Sequence, residues 1–172
     1  MDAFSQSIEL WHDFYIMVGT AAATLIGLLF VGLSLNIETV RRESHADIQL
    51  LAAQTFNSFF YVLMFAILFL IPRQVPMGLG LPLLSIGGLG LLSTVQQLAQ
   101  TRRSQRPWGK GTIARRFALP IVSLVGVVVI AVSVLFGQPN GLYWLVPVMI
   151  LLLASASRNA WDLLIGVREP SK

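Results

Sequence analysis

Phe14–Leu35 reads FYIMVGTAAATLIGLLFVGLSL, an unbroken stretch without a single Asp, Glu, Lys or Arg. At about 1.5 Å of rise per residue such a stretch makes a helix of roughly 33 Å, against a hydrocarbon core of about 30 Å. It is too long for a core strand and lacks the alternation of a barrel strand, so it reads as a membrane-spanning helix. Three further runs, Ile48–Ile71, Met77–Leu98 and Phe117–Phe136, are equally free of charge. A fifth, Leu142–Leu164, carries only Arg158 and Asp162. The expectation is an all-α integral membrane bundle of five transmembrane helices, at about 14–35, 48–71, 77–98, 117–136 and 142–164, in one membrane domain over 1–172.

Composition agrees. The 172 residues are 55% apolar and 12% charged, with a mean hydropathy of +0.74. Soluble domains carry about 25% charge, because water must be met over most of their surface. Both the soluble globular class and disorder are excluded. There is no cysteine, which removes disulfides and thiolate chemistry. The two histidines, His12 and His45, lie too far apart for paired metal-ligand spacing, and no cofactor is expected.

The breaks between runs are punctuated as helix ends. Ser44-His45-Ala46-Asp47 reads as an N-cap with acid in the first turn. Pro72-Arg73-Gln74-Val75-Pro76 and Gly137-Gln138-Pro139-Asn140-Gly141 read as tight hairpins. Residues 99–116 form a longer basic connection containing Trp108. Pro82, Pro120 and Pro147 are expected within the first turns of their helices, with Pro147 deepest and able to kink its own.

Lys and Arg predict orientation. The odd-numbered loops and the tail hold ten, and the opposite side holds only Arg73, with Arg158 inside a run. That bias places the N-terminus outside and the C-terminus and the 99–116 loop in the cytoplasm. The acidic leader and the length of the first run argue against a cleaved signal peptide. Trp11, Phe14, Tyr15, Tyr143 and Trp144 gather at the outer ends, with Trp161 at an inner end and Trp108 in the basic loop, as interfacial anchors do.

Polar residues inside spans are expensive, so their placement is informative. Gln54, Asn57, Ser58 and Tyr61 recur at i, i+3, i+4, i+7, and so do Ser155, Arg158, Asn159 and Asp162. Each set forms one helix face, and the two overlap in depth; Asn36, Gln96 and Gln97 end other helices on the same side. The pattern predicts an intramembrane hydrogen-bonded network, with Arg158 and Asp162 able to pair along their helix. Two alternatives stay open: Arg158 snorkels to the headgroups, or the stripes hold a substrate or ion.

Gly19, Ala23 and Gly27 form a small-residue ridge that lets helix backbones approach. Intramolecular packing is its ordinary use, and a homo-oligomer the alternative. Arg102, Arg103, Arg106, Lys110, Arg115 and Arg116 make the third connection basic, which fits topology and contact with anionic lipid headgroups. An acidic cytosolic partner is the sharper reading. Nucleic acid is not expected, since so short a segment cannot build a reader. No GxSxG, P-loop, HExxH or paired intramembrane carboxylates occur, so no enzyme is expected. No inverted repeat supports a secondary transporter.

Phe14–Asn36, FYIMVGTAAATLIGLLFVGLSLN, and Ser155–Leu164, SASRNAWDLL, together with Gln54-Thr55-Phe56, resemble a group of small, uncharacterised multi-span bacterial inner-membrane proteins. The resemblance implies that location and the same compact bundle, and no activity. The chain is expected to be a non-enzymatic subunit, scaffold or regulator, whose partners are the lipid bilayer, other membrane proteins or itself. The alternative is an oligomeric channel or permease with an anion-favouring path near Arg158.

Overall fold

The computed structural model describes residues 8–37, 46–72, 74–103 and 110–168. The chain forms α1 (His12–Leu35), α2 (Ala46–Phe69), α3 (Pro76–Arg103) and α4 (Lys110–Leu135), then a 3₁₀ turn (Pro139–Trp144) and α5 (Leu145–Arg168). No strand occurs among the described residues. All five helices are long and apolar enough to cross a membrane.

Two helices run well past their apolar cores. The expected 99–116 connection is mostly helical: α3 continues to Arg103 and α4 starts at Lys110. Gln96–Arg103 ends the apolar run but contains no helix breaker, and Gln, Ala and Arg sustain a helix well. What remains of the connection, 104–109, lies outside the described residues, as do Ser44 and His45 of the expected α2 cap. The longer α4 changes the proline reading. Pro147 is the third residue of α5, where its missing N–H opposes no carbonyl, so it is not the kink-former. Pro120 instead lies inside α4, where it has no N–H to offer the Arg116 carbonyl.

Helix α4 stops at a Schellman motif. Gly137 takes φ +75°, a left-handed conformation that a Cβ would oppose. Its N–H reaches the Val134 carbonyl at 2.9 Å, and the Gln138 N–H reaches Ser133 at 3.0 Å. At the α2–α3 turn the Gln74 side-chain amide donates to the Leu68 carbonyl.

Short connections make consecutive helices antiparallel neighbours. Helix α2 is the hub, packed on α1, on α5 and more loosely on α3, while α4 packs on both α3 and α5. Helix α1 buries Tyr15, Val18, Ala22 and Leu29, a near-heptad seam, against α2. Tyr15 stacks on Phe69 with centroids 4.2 Å apart, and Trp11 meets Tyr143 edge to face at 5.3 Å. One end of the bundle is therefore aromatic and packed, where α1, α3 and α5 begin. Val62, Phe65, Leu79, Leu83, Val127 and Met149 fill the interior beside it. A smaller cluster of Leu29, Leu51, Ala52 and Leu163 joins α1, α2 and α5 at the other end.

Candidate functional site

Between these clusters the α2 stripe turns inward. Gln54, Asn57, Ser58 and Tyr61 line a cavity of about 10 Å³ together with Thr94 and Gln97 of α3, Pro120 and Leu124 of α4, and Leu152 of α5. That volume has room for roughly one water molecule. Gln54, Ser58 and Thr94 are buried, whereas Asn57, Tyr61 and Gln97 are half-buried.

The hydroxyls are committed locally. Ser58 Oγ donates to the Gln54 carbonyl at 3.0 Å, and Thr94 Oγ1 to the Gly90 carbonyl at 2.8 Å. Ser93 Oγ donates to the same Gly90 carbonyl at 2.9 Å, so its one proton is spent. Tyr61 must then be the donor in the 3.1 Å Tyr61–Ser93 contact, which ties α2 to α3. Gly90 makes this possible, because a Cβ there would come within 3.0 Å of the Tyr61 ring. The Asn57 and Gln97 side-chain amides have no hydrogen-bond partner among the described residues. Each offers two donors and an acceptor to the cavity.

The α5 stripe is divided. Ser155 and Asn159 are buried at 4% and 5% exposure, while Arg158 and Asp162 are exposed. Among the described residues no ion pair or hydrogen bond joins Arg158 to Asp162. The buried sector of α5 runs through Met149, Leu152, Ala156 and Leu163, and at 100° per residue the polar stripe straddles its edge. Asn159 Nδ2 and Ser123 Oγ are both buried without a partner. Neither Ser155 nor Asn159 lines the cavity; α5 contributes only Leu152. The structure thus brings the α2 stripe to α3.

The signal for α3 was present in the chain. Gly90, Ser93, Thr94 and Gln97 repeat the i, i+3, i+4, i+7 spacing of the α2 stripe. A glycine at the first position hides it, because glycine does not look polar, although its carbonyl accepts both hydroxyls.

No family model, curated protein or solved structure matches this chain.

The small-residue ridge is split as well. Gly19 is buried on α2, with Ala66 within 3.0 Å of where its Cβ would stand, whereas Ala23 and Gly27 are exposed. The side chains of Arg102, Arg103, Arg106, Lys110, Arg115 and Arg116 lie outside the described residues. Among the described residues no three His, Asp or Glu side chains are grouped to hold a metal ion.

Proposed function

We propose that this chain is a non-enzymatic, five-span component of a bacterial inner membrane, acting as a subunit, scaffold or regulator through its lateral surface. The observation that carries this reading is where the polar groups end. Below Tyr61 the interior is closed by Val62, Phe65, Leu83 and Val127, each fully buried. Among the described residues a single bundle filled in this way offers no continuous polar path, while Arg158, Asp162, Ala23 and Gly27 are exposed on its flanks. Such groups in a lipid-facing surface are the ones other helices or headgroups recognise.

The topology belongs to the same proposal. The ends of α1, α3 and α5 and the starts of α2 and α4 share the side that carries ten of the twelve Lys and Arg, which supports a cytoplasmic placement of that side. The FYIMVGTAAATLIGLLFVGLSLN and SASRNAWDLL segments support the bacterial location. The basic connection around Arg102–Arg116 then contacts anionic headgroups, which attract each cation by about 1 kcal/mol.

A native-membrane pull-down with a photocrosslinker at Ala23 or Arg158 tests the reading. The expected result is a specific membrane partner at one of these positions. Recovery of the chain alone, joined to chloride or nitrate flux in liposomes that Arg158→Ala abolishes, would replace it with an oligomeric anion path lined between copies.

A further inference from the structure

The cavity is closed along the helix axes and open sideways. One turn nearer the basic end on α2, α3 and α4 come Leu51, Thr101 and Phe117, and all three are buried. Toward the other end Phe65 and Val127 close it. Leu124 and Leu152, both fully buried, form its back. The half-buried members, Asn57 and Tyr61 on α2 and Gln97 on α3, belong to the loosely packed α2–α3 seam. Its mouth therefore faces whatever surrounds the bundle.

Counted inward at 1.5 Å per residue from the span ends at Ile48 and Thr101, the cavity that Asn57 and Gln97 share lies about 6–14 Å inside the apolar run. At that depth a bilayer offers acyl chains, which cannot hydrogen-bond, so an amide without a partner there is destabilising. Ionised headgroups do not suit the site: no lining residue is charged, and the space admits roughly one oxygen-sized group. A hydroxyl fits. It donates once and accepts twice, and the two amides provide both an acceptor and donors.

We propose that the α2–α3 seam is a binding site for a lipid-phase molecule bearing one neutral hydroxyl, such as a long-chain alcohol or a diacylglycerol. Asn57 and Gln97 hydrogen-bond that hydroxyl, while its alkyl chain lies along the exposed Phe56, Phe60, Leu89 and Leu92. The stacked Phe56 and Phe60 rings, 5.9 Å apart, give the chain an apolar wall on α2 beside the mouth. The site rests on the membrane-crossing reading but not on any partner.

Photoactivatable hexadecanol in phosphatidylcholine vesicles tests it, with labelled peptides located by mass spectrometry. Labelling is expected to concentrate on 54–61 and 89–97 and to fall at least fivefold in the Asn57→Leu, Gln97→Leu double variant. Ser85→Ala, which removes an exposed α3 hydroxyl bonded to its own helix, leaves it unchanged. On the unaltered protein, excess hexadecanol competes and hexadecane does not. Even labelling of all lipid-facing helices, equal competition by hexadecane, or stronger competition by phosphatidic acid would each overturn the site. Failure of the membrane reading looks different, because the protein would then not be recovered in vesicles at all.

Discussion

The two halves of the bundle are built from the same helices on opposite principles. Toward the starts of α1, α3 and α5, stability comes from filled volume: Tyr15 on Phe69, Gly19 on Ala66, Phe65 with no exposed surface. Toward their ends the small apolar cluster around Leu29, Leu51, Ala52 and Leu163 sits beside a polar cavity, where Tyr61 bonds to Ser93 across α2 and α3 and two amides are left over. Lipid is as apolar as a leucine side chain, so packing in a bilayer gains from close fit rather than from leaving water. The α2–α3 seam is the loosest of the contacts that α2 makes with α1, α3 and α5, and its Asn57 and Gln97 amides have no partner among the described residues. The comparison separates a framework from a place where something else can be accommodated.

The largest expected effect breaks the packed half. Phe65→Ala leaves a void where the surrounding helices cannot fully relax, with a loss of about 3–5 kcal/mol expected in reversible unfolding in detergent. A loss no greater than that of an exposed control such as Ile67→Ala would mean that the packed half is not the framework. A smaller effect is expected where the halves meet. Gly90→Ala sets a methyl 3.0 Å from Tyr61 and 3.2 Å from Leu124, so both side chains must give way by a few tenths of an ångström in a filled space. Overpacking of this kind costs about 1–3 kcal/mol, read by the same unfolding measurement.

The smallest effect sharpens the contrast most. Tyr61→Phe and Ser93→Ala each remove the α2–α3 hydrogen bond, and a double-mutant cycle between them is expected to give a coupling of about 0.6 kcal/mol, within the range for bonds inside membranes. Strict additivity would mean that the contact carries no energy. The seam would then be held by apolar contact alone, like the opposite half.

Much of this arrangement could be read from the residues, and the gaps have physical causes. The seam of α1 through Tyr15, Ala22 and Leu29 was hidden because the run is apolar all round, and the ridge Gly19, Ala23, Gly27 pointed to a neighbouring face, of which only Gly19 meets α2. Small residues permit close approach without demanding it. Polar Gln96–Arg103 looked like the start of a loop because hydropathy reports where a helix leaves an apolar medium, not where it stops being helical. Helical spacing puts Ser155, Arg158, Asn159 and Asp162 on one stripe of α5 but does not say which way that stripe heads. A rotation of well under half a turn separates buried Asn159 from exposed Arg158.

Taken alone, the order of residues determined the number, type and approximate length of the elements. An apolar run of twenty or more residues must satisfy its own backbone, and a helix does that within the segment. Which polar face meets which was left to the tertiary structure. Helical periodicity places Gln54, Asn57, Ser58 and Tyr61 together on α2, yet says nothing about the angle at which α2 presents them. Steric fit across five helices, with Gly90 admitting the Tyr61 ring, turned that face toward α3.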